Sequence, residues 1–200
     1  MESEAKSVVE KKVKLQELYK LVETQSKEFD KYENVEDGQT WKYHIVPVIK
    51  NSIMLAKKYR GDVEVVEIAA LFHDYANLVD FEKYSEVHHI ASGELAEPIL
   101  HRYGYEQSFI DKVKKCIFSH RASVVKDKLS TEEICLADAD GLTHIQNVFE
   151  IIIWRGQKGD SVEAANAFVK KKIQKTYAKL SEESKLYIKD KYEAILEILY

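Results

Sequence analysis

Residues 67–80, EIAALFHDYANLVD, decide how the chain is read. Ile68-Ala69-Ala70-Leu71-Phe72 is an apolar helical run that leads directly into the polar pair His73-Asp74. Adjacent side chains on a helix point about 100° apart. Such a pair can grip one ion from two sides where a helix end lies beside it. An unpaired carboxylate in an apolar interior is destabilising by on the order of several kcal/mol. A metal offsets that penalty by turning both groups into ligands. The same pair also reads as a polar cap on a helix end, so the rest of the chain has to decide.

Its composition favours helices. Two prolines, Pro47 and Pro98, and seven glycines in 200 residues suit long helices and argue against a turn-rich all-β chain. Hydrophobic residues at 45% and charged residues at 32% fit one sizeable domain with a real core. A net charge of -4 gives no general drive toward nucleic acid or an anionic membrane. Cys116 and Cys135 form no CxxC, which points to a reducing compartment rather than a disulfide framework. The start, MESEAKSVVEKK, has no apolar signal segment, and no run nears the ~18 apolar residues of a membrane span. A cytoplasmic protein is expected.

The periodicity predicts an amphipathic helix from residue 5 to about 33, with Val8, Val9, Val13, Leu15, Leu18, Leu21 and Val22 as its apolar positions. After a polar turn containing Gly38, Trp41 opens a helix that carries His44 and ends near Arg60-Gly61. Pro47 lies in its first turns, where the missing N–H is tolerated or kinks the helix. Asp62 caps a third helix ending in His73-Asp74, and a loop is expected from Asn77 to about Glu86. A fourth helix, from His88 to near Gly104, has Ile90, Leu95, Ile99 and Leu100 on one side. The fifth runs from Gln107 through Cys116 to His120, and Ser123 to Leu129 read as a connector. Ser130 and Glu133 form a capping box for a sixth helix, reaching as far as Trp154 and containing Asp138, Asp140 and His144. Asp160 and Glu163 start another, whose Lys170, Lys171, Lys172, Lys175 and Lys179 read as a solvated face. Ser181 caps the last helix, with Leu186, Ile188, Tyr192, Ile195, Leu196 and Leu199 apolar. The expectation is an all-α chain forming one domain over residues 1–200.

Against these apolar helices stand His44, His73-Asp74, His89, His120 and then Asp138 or Asp140. Mixed imidazole and carboxylate ligands suit Mn, Fe, Zn, Ni or Co, and Mg where carboxylate and water are sufficient. Periodicity aligns Asp138 with Ile134, Gly141 and Ile145, and Asp140 with Leu136 and His144, so it leaves both open as the distal ligand. His88 and His101 read as surface histidines, and His144 falls outside the ligand set.

This order resembles the HD-domain metal-dependent phosphohydrolases, whose signature is a His, a His-Asp doublet and a distant Asp on helices. His44 supplies the first His, AALFHD the doublet, and Ala139-Asp140-Gly141-Leu142 the distal motif, which selects Asp140 over Asp138. HHIASGELAEPIL is similar to a His-x-x-Ser-Ala-x-x-Ala segment of small stand-alone members, with His89 on its His and Ser92 on its Ser. VKKCIFSHRAS resembles a second segment of that branch, placing His120 on its His with Arg121 beside it. Where many members continue HD-Ile-Gly-Lys, this chain has Tyr75-Ala76-Asn77, which departs from the cyclic-dinucleotide phosphodiesterase branch.

The resemblance implies a compact HD-type helical bundle, with its motif-bearing core at about 41–152 and helical extensions 1–40 and 160–200 packed on it. It implies one or two divalent ions held by His44, His73, Asp74 and Asp140, and hydrolysis of a nucleotide or other small phosphorylated metabolite. Asp74 would orient the water, and His89, His120 and Arg121 would bind phosphate or a second metal, with His120 also a candidate proton donor. Two other classes stay open: a catalytically silent metal- or nucleotide-binding sensor, and an RNA-directed phosphodiesterase resting on the Lys170–Lys179 helix. The apolar faces of the terminal helices allow a homodimer.

Overall fold

The computed structural model describes residues 2–199 apart from 123, 125, 126 and 129, with side chains from residue 9 onward. The side chain of Val8 and those four positions of the expected connector therefore lie outside the described residues. Among the described residues every regular element is helical, and no helix is long and apolar enough to cross a membrane.

The first helix, α1 (Glu2–Glu33), packs on the core through Leu15, Leu18, Tyr19, Leu21 and Val22. Leu18 and Val22 are fully buried, whereas Val9 and Val13 are exposed. Asp30, also fully buried, accepts bonds from the backbone N–H and hydroxyl of Thr40 and so fixes the turn that follows. A single π-helical turn, Trp41–Ile45, then runs into α2 (Val46–Tyr59). Pro47 explains the widened turn. It cannot donate to the Tyr43 carbonyl one turn back, and that carbonyl accepts instead from the side-chain amide of Asn147.

Next come α3 (Val63–Phe72), α6 (His88–Arg102), α7 (Gln107–Ser119) and α8 (Thr131–Gln146). Asp62 and Ser130 cap α3 and α8 by accepting from Val65 N–H and Glu133 N–H. Between α3 and α6, the expected loop holds two short helices, α4 (Tyr75–Val79) and α5 (Phe81–Tyr84), the second capped by Asp80. The core lies where α2 packs on α3 and α8, and α7 on α3, α6 and α8. Phe72, Ile68, Leu71, Ile110, Ile117, Leu136, Leu142 and Ile145 are fully buried there. Each such side chain stabilises by about 1.5–3 kcal/mol.

Several boundaries differ from expectation. The sixth helix does not continue to Trp154. It breaks at Asn147, whose backbone leaves the helical region (φ -109°, ψ 35°) and whose side-chain amide bonds the Tyr43 carbonyl, and α9 (Val148–Gln157) starts afresh. Ser161 rather than Asp160 caps α10 (Val162–Lys179), since Asp160 is paired with Arg155. Ser181 caps α11 (Glu182–Ile198) as expected. Ile90 and Leu186 face solvent. In α6 small residues take the inward positions, Ala91, Ser92, Gly93 and Ala96, because that helix packs closely on α7.

Candidate metal centre

α3 stops at Phe72, and the break before α4 brings both residues of the doublet to one place. His73 is fully buried and continues the helical backbone, while Asp74 leaves it. The Nδ1 of His73 lies 2.7 Å from the Ala70 carbonyl, three residues back. His88 repeats this bond with Ser85 at 2.7 Å, and His120 with Ile117 at 2.5 Å. A carbonyl can only accept, so each Nδ1 carries the proton and each Nε2 keeps its lone pair. This is how protein carbonyls orient metal-binding imidazoles.

Those lone pairs converge. His44, presented by the π turn, has its Nε2 3.1 Å from His73 Nε2, 3.3 Å from Asp74 Oδ2 and 3.7 Å from Asp140 Oδ1. His73 Nε2 is 3.6 Å from the same Asp74 oxygen. The other oxygen of Asp74 lies 3.5 Å from His88 Nε2 and 3.8 Å from His120 Nε2. Donors about 2.0–2.1 Å from one ion are roughly 2.8–3.0 Å apart at neighbouring octahedral positions and roughly 3.3–3.4 Å apart in a tetrahedron. The donor set fits a divalent ion. Donor atoms of His44, His73 and Asp140 form one group, all within 4.8 Å of each other, and those of Asp74, His88 and His120 form a second.

Electrostatics agrees with a cation site. Burial alone would raise the proton affinity of Asp74, but His73, His44 and His88 outweigh it and hold the carboxyl well below its usual range. Burial likewise opposes ionisation of Asp140, which His144, His44, His73 and His120 keep ionised. Burial, reinforced by neighbouring His73, pushes His120 down to about 4. His44 goes the other way. Burial pulls it down, yet its bond to Asp74 and the charges of Asp140 and Asp74 raise it above the ordinary imidazole value.

Of the sequence candidates, the structure brings together His44, His73, Asp74, Asp140 and His120. Asp138 does not join them. It is 3% exposed and accepts from the backbone N–H of Ser181, at 3.1 and 3.3 Å, and from its hydroxyl. His89 is also turned away. Its ring packs on Phe118, and Nδ1 is buried with no hydrogen-bond partner among the described residues. The residue that reaches Asp74 is His88, one position earlier and therefore about 100° round the helix. Arg121 borders the cavity with its guanidinium on Glu86. His144 is closer than expected, with Nε2 3.5 Å from Asp140 Oδ1 and its ring stacked on His44. Asn77 donates to Asp74 Oδ1 at 3.2 Å. Above the cluster opens a cavity of about 300 Å³, bordered also by Lys172, Thr176 and Lys179 of α10. The two lysines fall within the run expected to be a solvated face, although the i, i+4, i+7 spacing of Lys172, Thr176 and Lys179 marks one face of a helix.

Comparison with known proteins fits this geometry. The HD domain family matches residues 41–145, from the π turn through most of α8. A predicted HD superfamily hydrolase from an uncultured Thermotogales bacterium is 24% identical, with 92% of this chain and 88% of that one covered and a TM-score of 0.62. Bacillus subtilis YpgQ, solved in complex with ADP, is 19% identical, with 92% of each chain covered and a TM-score of 0.63. At these identities the two structures establish a shared fold. No curated protein gives a significant match.

Proposed function

Since the chain belongs to the HD-domain family, we propose that it is a metal-dependent phosphohydrolase acting on a nucleotide or another small phosphorylated metabolite. The observation that carries this reading is the convergence of His44, His73, Asp74 and Asp140 beneath an open cavity. These four would hold the ion. The second oxygen of Asp74 faces His88 and His120, and these three groups would hold a second ion where one is bound. A divalent cation supplies a Lewis acid for a phosphoryl oxygen and acidifies a water molecule near neutral pH.

The chain's own groups do the rest. Asp74 stays ionised and accepts the bond from Asn77, which fixes its plane. With its Nδ1 proton on Ile117 and its proton affinity low, His120 faces the cavity as a neutral base. It is a ligand or proton acceptor at neutral pH, not the donor to a leaving oxygen. Arg121, at the edge of the cavity, balances charge that grows on the phosphoryl group. A volume of about 300 Å³ matches the small end of metabolite pockets and favours a small molecule over RNA. The ADP bound to YpgQ supports a nucleotide as the ligand class.

The test is phosphate or pyrophosphate release from a nucleotide panel with Mn, Mg, Co or Ni added, and with a chelator as control. Metal-dependent turnover on one substrate class is expected. Bound metal with no turnover on any class would replace the hydrolase by the silent sensor.

A further inference from the structure

The cavity has a wall that comes from outside the family-matched segment. Residues 41–145 carry the converging His and Asp side chains, whereas Lys172, Thr176 and Lys179 belong to α10. Among the described residues neither Lys172 nor Lys179 makes an ion pair, so both ammonium groups are available to a ligand. Facing them, Arg121 adds a third cation.

This wall is held in place deliberately. Asp138 accepts both the N–H and the hydroxyl of Ser181, which pins the α10–α11 turn to α8. Gly141 allows the close approach, since a Cβ there would lie 2.7 Å from Leu180 Cδ2 and 3.2 Å from Thr176 Cγ2. Lys172, half-buried, and Lys179, exposed, thereby border the same cavity as Asp140 and His144, whereas Lys171 and Lys175 do not. Burial, then Lys175 and Lys172, lower the proton affinity of Lys179, and Asp140 across the cavity opposes them. An anion placed between the two lysines adds favourable charge to both.

Building on the phosphohydrolase reading, we propose that Lys172 and Lys179 bind a second phosphate of the substrate, next to the phosphate held at the His/Asp centre. The substrates are then compounds with at least two linked phosphates, such as nucleoside diphosphates or triphosphates, and monophosphates bind poorly. Charge-assisted contacts of this kind are the strong ones in phosphate recognition.

Calorimetric titration of the metal-loaded protein, dialysed free of excess metal, tests this with methylenediphosphonate against inorganic phosphate. Wild type is expected to bind the diphosphonate at least about tenfold more tightly, as strong charge-assisted contacts allow. Lys172→Gln/Lys179→Gln should erase that preference with metal content unchanged. Lys171→Gln/Lys175→Gln, an equal charge loss at exposed positions of the same helix, should keep it. No preference in wild type, or a preference that survives Lys172→Gln/Lys179→Gln, overturns the proposal. Because binding is read without turnover, a lysine-dependent preference in a protein that hydrolyses nothing retracts the hydrolase alone. Turnover on diphosphates indifferent to the two lysines retracts the subsite alone.

Discussion

Asp138 and Asp140 differ by two positions on one helix and have unrelated surroundings, Asp138 holding Ser181 and Asp140 facing His44 and His144. In Asp138→Ala, two donors of Ser181 lose their acceptor at a site where the carboxylate is 3% exposed. A buried donor left unsatisfied is destabilising by about 1–3 kcal/mol, and Ser181 is only partly covered, so about 2–4 kcal/mol in total follows. For a chain of this length each kcal/mol lowers Tm by about 2–4 °C, which predicts a fall of about 5–15 °C. Metal content, measured well below Tm, should stay at the wild-type level. In Asp140→Asn the pattern reverses. Loss of an outer partner alone weakens metal binding about 10–100-fold, so loss of a ligand should cost at least about 100-fold, while Tm of the metal-free protein moves by only a few degrees. Calorimetry and elemental analysis on the two variants suffice. Metal loss in Asp138→Ala at unchanged Tm, with metal retained in Asp140→Asn, would refute the assignment.

Two further predictions rest on the same geometry. His88→Ala should lower turnover by about 100-fold or more, in the range of a lost acid–base or ligand group, while His89→Phe, which fills an apolar contact and removes an unpaired nitrogen, should leave turnover near wild type; the opposite ranking would show that α6 is rotated from its position here. In the metal-free protein, His120 has its proton affinity lowered to about 4, so the unfolded chain takes up this proton first. Its contribution is complete above pH ~6.5 and declines by about 3 kcal/mol as pH falls to ~4. Burial, then Lys172, lowers His144 to about 3 and acts in the same direction, while the raised His44 opposes both. Urea titrations from pH 7 to 4 should show the loss, and His120→Asn should flatten it; equal slopes in both proteins would contradict the buried neutral imidazole.

Much of the fold was legible because local signals are strong. Asp62, Ser130 and Ser181 cap their helices where the sequence puts them, and Gly104, with φ 74°, ends α6. The doublet became readable beside His44, His120 and the distal Asp, since alone it reads equally as a polar helix cap. What escaped depends on rotation about helix axes. Choosing between His88 and His89 requires knowing the phase of α6 to within one residue, and the small inward residues of that helix leave no large apolar stripe to set it. Asp138 and Asp140 pose the same problem, because α8 is buried on most sides. The widened turn that presents His44 depends on Asn147, about a hundred positions away, taking the carbonyl freed by Pro47. The lysines of α10 acquire a role only through the direction in which that helix crosses α8, which no local signal encodes.

The most direct test of the central claim is elemental analysis of the purified protein beside His73→Ala and Asp74→Ala, with circular dichroism as the check on folding. The account predicts at least one divalent ion per chain in wild type, and none in either variant at unchanged helical content. Wild type that binds no divalent ion, or variants that keep it, would contradict a metal centre at His44, His73, Asp74 and Asp140.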